Sequence, residues 1–116
     1  MCLHEFMKLS HEISESIKEC LVSLFGPTKI VVFGSYATDR ATDQSDVDIL
    51  MLVGDDKLSD RDSVLKGRLA IREVLRGKNL PFDFIVEAEE AFDRYKNVKG
   101  SIQYEIDRQG IVLYER

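Results

Sequence analysis

Nowhere does this 116-residue chain hold an apolar run near the roughly 18 residues that a membrane helix needs. No membrane association is expected. The opening Met1-Cys2-Leu3-His4-Glu5 lacks the basic-then-apolar order of a secretory signal, so the cytoplasm is the expected location. Cysteine is scarce, with Cys2 and Cys20 alone. Read on one helix, they sit about 27 Å apart at about 1.5 Å per residue, beyond disulfide reach. They also lack zinc-ligand spacing. His4 and His11, two turns apart on that helix, need a third element to share a metal. Basic charge is in deficit: 16 Lys and Arg against 21 Asp and Glu give a net charge of −5. A general nucleic-acid binder needs a basic footprint, so the charge balance argues against that class. A nucleotide held through metal ions is not, because the metals supply the positive charge. There is no G-x-G-x-x-G and no G-K-[ST], which removes the Rossmann and P-loop sites.

What is present is ordinary for a globular protein: 44% hydrophobic and 32% charged residues. The length predicts a single domain over 1–116. Apolar residues recur at three- and four-residue steps from Leu3 to Phe25, predicting an amphipathic helix stopped by Gly26-Pro27. Thr28 to Phe33 is β-branched and apolar, a buried strand. Gly34 ends it, and Ser35 is placed to cap a short helix over Tyr36 to Asp39. A polar loop, Arg40 to Ser45, leads into a second strand, Asp46 to Val53. A turn over Gly54 to Ser59 precedes a helix from Asp60, its possible cap, to Arg76. Leu80 to Val86 reads as a third strand, with Pro81 near its start where a missing N–H is tolerated. Glu87 to Gln109 reads as two helices split near Gly100-Ser101, with Gly110 as C′ residue, before a last strand, Ile111 to Tyr114. The expected fold class is α/β (α+β), a small sheet flanked by helices.

Three polar features interrupt this pattern. Asp46 and Asp48 are two apart on a strand, so both carboxylates face one side. Held close, they repel unless a cation sits between them, and a hard divalent ion suits their oxygen ligands. Asp83 lies mid-strand between Phe82 and Phe84, where an unpaired buried carboxylate is costly. If its strand adjoins the second, it completes a metal cage. Gly34-Ser35 ends a strand and opens a helix, the arrangement that seats phosphate on backbone N–H groups. Each has a plainer reading: Asp46 in a solvated loop, Asp83 facing solvent from a one-sided strand, Ser35 as a cap. Together, a phosphate seat and three carboxylates are the equipment of two-metal phosphoryl-type transfer.

The run FGSYATDRATDQSDVDILMLV (residues 33–53) resembles the signature of the DNA polymerase β-like nucleotidyltransferase superfamily. It is most similar to the minimal nucleotidyltransferases, the MNT family, which are commonly paired with a HEPN-domain protein as toxin and antitoxin. The resemblance implies a nucleotidyltransferase fold with a small mixed sheet. It implies that Gly34 and Ser35 hold the triphosphate of ATP and that Asp46 and Asp48 bind two magnesium ions. Asp83 would bind the catalytic ion and help deprotonate the acceptor hydroxyl. The chain departs from the family where many members carry a basic residue and then glycine. Thr38-Asp39 stands there, placing a negative charge near the phosphates that Arg40 would offset.

The resemblance also implies the activity: transfer of AMP to a hydroxyl of a HEPN toxin. Only 33 residues follow Asp83, too few for a second domain around a small acceptor, which favours a macromolecular acceptor over an antibiotic-type substrate. Homodimerisation could instead build the missing wall, so a homo- or hetero-oligomer is expected. A further rival is an inactive domain that neutralises its partner by contact. Other carboxylate motifs fit poorly. An EF-hand from Asp39 would need Gly and Glu where Gln44 and Leu50 stand. D-x-D phosphatases and glycosyltransferases place the apolar strand before the carboxylates, whereas here it follows.

Overall fold

A computed structural model of the chain describes residues 9–42, 44–54 and 61–116. The first helix, α1, spans His11–Phe25. Ser10 caps it in an extended conformation, its Oγ accepting the Ile13 N–H at 3.2 Å. Gly26 ends it in the left-handed region at φ 55°, its N–H donating to the Val22 carbonyl. The single helix expected from Leu3 is therefore corrected: the chain leaves helical geometry at Ser10, because the hydroxyl satisfies a first-turn N–H. Cys2, Leu3, His4, Phe6 and Met7 lie outside the described residues, and the one-helix spacing used for Cys2–Cys20 and His4–His11 no longer applies. Burial pushes the half-buried Cys20 thiol up. Ser10→Ala should lower stability by about 1 kcal/mol, measurable as a melting-temperature drop of about 4 °C.

Four strands form one mixed sheet in the order β3-β2-β1-β4, with β1 Lys29–Phe33, β2 Val47–Val53, β3 Phe82–Ala88 and β4 Ile111–Glu115. β1 runs antiparallel to both β2 and β4, while β2 and β3 are parallel. A parallel pair needs a crossover, supplied by α2 (Arg61–Val74). Two further helices, α3 (Glu89–Tyr95) and α4 (Ile102–Gln109), precede β4. The helices fall on both faces. Ile17, Leu21 and Ile71 of α1 and α2 pack with Ile30, Ile49, Met51 and Phe84 on one. Phe92 and Ile106 of α3 and α4 pack with Val31, Leu50 and Leu52 on the other. β2 is thus covered on both sides, which is why it reads as a continuous apolar run. Gly67 lets α2 sit close to β3, since a Cβ there would run into the Phe84 ring.

Several boundaries move for identifiable reasons. Asp46 lies one residue before β2. β3 starts at Phe82 and not Leu80; the Pro81 carbonyl still accepts the Val47 N–H at 2.9 Å. Glu87 and Ala88 finish β3, so the helical segment begins two residues later than expected. Ser101 caps α4 by accepting the Tyr104 N–H at 3.0 Å. Gly110, expected as the C′ residue, is the C-cap of α4 and extended, at φ −71°, its N–H donating to the Ile106 carbonyl. Its lack of a side chain serves space, because a Cβ would meet the Ile106 carbonyl and Val31. Asp60 and most of the turn expected at 54–59 lie outside the described residues. Among the described residues no helix is long and apolar enough to cross a membrane.

Candidate active site

The register across three strands gathers the acidic residues. Phe33 at the end of β1 lies opposite Asp48, and Asp48 lies opposite Asp83 on β3. Strand alternation puts these side chains on the face that carries Leu50 and Ile85, the face of α3 and α4. Those helices cover the deeper positions and leave this end of the sheet open. Asp48 is half-buried, and Asp46 and Asp83 are exposed. Burial, then the charges of Asp83 and Asp46, hold the Asp48 carboxyl above the usual range. Asp48 is therefore within electrostatic reach of both Asp83 and Asp46. Among the described residues no Lys, Arg or His forms an ion pair with any of them. Asp83 Oδ1 accepts the Phe84 N–H at 3.1 Å.

Among the described residues no three His, Cys, Asp or Glu are gathered into a ready-made metal cage. The arrangement is an opposed pair, Asp48 and Asp83, with Asp46 beside it. That donor set fits a hard divalent ion of the magnesium type, which is held by one or two carboxylates together with substrate phosphates, not by an all-protein cage.

Gly34 backs directly onto this pair. Its φ is 74°, and a Cβ there would overlap Asp48 Oδ2. A single 3-10 turn, Gly34–Tyr36, follows. The Ala37 N–H and the Thr38 hydroxyl both donate to the Gly34 carbonyl, at 3.1 and 3.3 Å. Ser35 is half-buried inside this turn and does not cap it; Phe33 holds the cap position without a side-chain bond. The left-handed glycine starts the turn two residues earlier than expected. So short a turn has no developed helix dipole, leaving backbone N–H groups and the Ser35 hydroxyl as the means of holding phosphate.

Arg40 rises from the same loop, tied by its N–H to the Ser35 carbonyl at 3.0 Å, with an exposed side chain in no ion pair among the described residues. Asp39 is left-handed at φ 60°, as its side chain tolerates. Lys66 and Arg68 belong to α2, on the other face of the sheet. The loop before Asp46 holds a feature that its polar composition did not reveal. Thr42 and Ser45 close a turn, with the Thr42 N–H donating to Ser45 Oγ at 2.9 Å and the Ser45 N–H to the Thr42 carbonyl at 3.1 Å. The Thr-x-x-Ser spacing was its signal.

Comparison with known proteins decides the family: the nucleotidyltransferase domain matches residues 14–106, the stretch that contains every residue of this cluster. The chain belongs to the nucleotidyltransferase domain family. It is 37% identical over 86 residues to a Methanocaldococcus jannaschii protein whose name assigns it provisionally as a protein adenylyltransferase, covering 74% of this chain and 77% of that one. A Sulfolobus solfataricus crystal structure, provisionally a nucleotidyltransferase, superposes with a TM-score of 0.56 at 25% identity, over 90% of this chain and 79% of that one. A toxin–antitoxin crystal structure with AMP-PNP superposes with a TM-score of 0.63 at 19% identity, over 89% and 73%. The MntA–HpeT toxin–antitoxin structure gives 0.61 at 17%, over the same shares. At these last identities the likeness is one of fold. In this nucleotidyltransferase, then, the carboxylate pair and the Gly34 turn meet at one open end of the sheet.

Proposed function

We propose that this nucleotidyltransferase moves AMP from magnesium-bound ATP to a hydroxyl side chain of a partner protein, the acceptor oxygen bonding to the α-phosphorus as the bond to the β-phosphate breaks and pyrophosphate leaves. The observation that carries the reading is the Asp48–Asp83 pair, set opposite on neighbouring strands with Gly34 against Asp48 and, among the described residues, no cation paired with it. Asp46 and Asp48 would hold two magnesium ions with the triphosphate, and Asp83 would join the ion nearer the acceptor. Bound there, the metal supplies charge neutralisation at the reacting phosphoryl group. Gly34 allows the backbone close to the phosphates, Ser35 donates to them, and Arg40 offsets Asp39. Asp83 would take the proton of the acceptor hydroxyl.

A protein acceptor fits the surroundings. Asp83 is exposed on β3, an edge strand, and among the described residues nothing closes over it. An acceptor must be held in line for transfer, so something else presents it. The M. jannaschii relative's name supports a protein acceptor and the toxin–antitoxin likenesses a toxin partner; the resemblance carried by residues 33–53 adds a HEPN domain as the class of that partner, with this chain as the antitoxin.

Calorimetric titration with ATP tests the donor half. Binding should require magnesium and be lost in Asp46→Asn, Asp48→Asn; equal binding in a chelator would contradict it. Arg40→Ala should weaken it about fivefold, the scale of one exposed charge pair, and unchanged affinity would remove Arg40 from the site.

A further inference from the structure

A groove of about 600 Å³ opens on the other side of the sheet, between the C-terminal half of α2 and the turn leading into β3. Leu69, Leu75, Leu80 and Phe82 supply its apolar lining, Arg72 and Arg76 its cations, and Glu73 a carboxylate. Leu69 is 52% exposed, and Leu65, one turn earlier, is 55% exposed. Arg76 pairs with Glu73 at 2.9 Å, while Arg72 has no ion pair among the described residues. Residues 61–80 carry six basic and two acidic side chains in a chain of net charge −5. With Arg76 balanced by Glu73, Arg72 is the groove's cation beside the exposed leucine, on a segment of net positive charge.

The groove also lies close to the chemistry. Its lining includes Pro81 and Phe82. Pro81 accepts the Val47 N–H, between Asp46 and Asp48, and Phe82 precedes Asp83. Groove and carboxylates therefore share one end of the sheet on opposite faces, separated by the edge strand β3. A chain lying in the groove reaches Asp83 by passing round that edge.

We infer that this groove is a docking site for an acidic, leucine-bearing segment of the acceptor protein, separate from the transfer site. The inference rests on the proposed protein acceptor. Exposed leucines beside the arginines favour a protein over RNA, whose phosphates find only a short basic row on an otherwise acidic surface. A second copy docking by the same patch would set arginine against arginine across a two-fold axis.

The test uses a fluorescein-labelled helical peptide of about 18 residues with Leu on one face and Glu on the other. Anisotropy should show saturable binding that weakens with salt. Arg72→Glu and Leu69→Asp should each reduce affinity about tenfold or more, with circular dichroism confirming an intact fold. Arg94→Glu, an exposed arginine on α3, should change nothing. Absence of binding, equal binding by Arg72→Glu, or tighter binding of an RNA of equal length would overturn the inference. So would self-association that Arg72→Glu abolishes. Magnesium–ATP binding is measured in the same samples. Its absence in wild type sinks the transfer reading and leaves the peptide result standing, while its persistence in Arg72→Glu separates groove from site.

Discussion

Replacing Asp48 with asparagine should eliminate nucleotidyl transfer and, in metal-free buffer, make the protein more stable. Asp48 faces Asp83 directly, with Asp46 beside it, and its carboxyl is held above the usual range by burial and then by those two charges. A carboxylate whose folded pKa exceeds its unfolded one binds its proton more tightly in the native state. Stability therefore falls as pH rises through the window that opens near the ordinary value of 3.8. At neutral pH the ionised group opposes folding. Asparagine keeps the shape and removes the repulsion, worth about 0.5 kcal/mol for like charges placed opposite on adjacent strands. The melting temperature in chelator should rise by about 2–4 °C. Transfer should fall about a thousandfold or more, since metal and phosphate charge would lose their central ligand. Magnesium and ATP should raise the melting temperature of wild type but not of the variant. A variant less stable than wild type in chelator, or one that retains transfer, contradicts this account of the site.

Gly34→Ala should be the most damaging exchange of a hydrogen for a methyl. The backbone there is left-handed at φ 74°, which costs a residue with a Cβ about 1–2 kcal/mol. The added carbon would also overlap Asp48 Oδ2, so the carboxylate or the turn must move. The total loss should be about 2–3 kcal/mol, a fall of roughly 10 °C in melting temperature. Gly100→Ala provides the control. Gly100 is also left-handed, at φ 92°, but a Cβ there meets nothing within 4 Å. It should show the backbone part alone and leave ATP binding unchanged, whereas Gly34→Ala should lose both stability and binding. Equal effects from the two substitutions would mean that the Gly34–Asp48 contact carries no weight.

These two residues also show where sequence reading stops. Side-chain parity set Asp46 and Asp48 on one face of an expected strand, but the strand begins only at Val47, leaving Asp46 one residue outside it. Parity could not place Asp83 opposite Asp48, since strand order and register depend on contacts between distant segments. The parallel β2–β3 pairing supplies that neighbour. The helices were legible from apolar spacing, as in α2, yet their ends moved wherever a hydroxyl or backbone partner intervened, as Ser10 does for α1. Ser35 was misread as a cap because a glycine's positive φ leaves no trace in the sequence beyond the glycine itself. The groove beside α2 was illegible for a further reason. Its leucines and arginines look like an ordinary amphipathic helix until the fold leaves Leu65 and Leu69 uncovered.

The central claim, that the Asp48–Asp83 end of the sheet transfers AMP to a protein, is tested most directly by intact mass spectrometry of a co-expressed HEPN-domain partner. With wild type, ATP and magnesium, the partner should gain the mass of one AMP on a tyrosine, serine or threonine, and its toxicity should be relieved. With Asp46→Asn, Asp48→Asn it should gain none. A partner neutralised equally well by that double variant, with no modification on either sample, would show a domain that acts by contact alone.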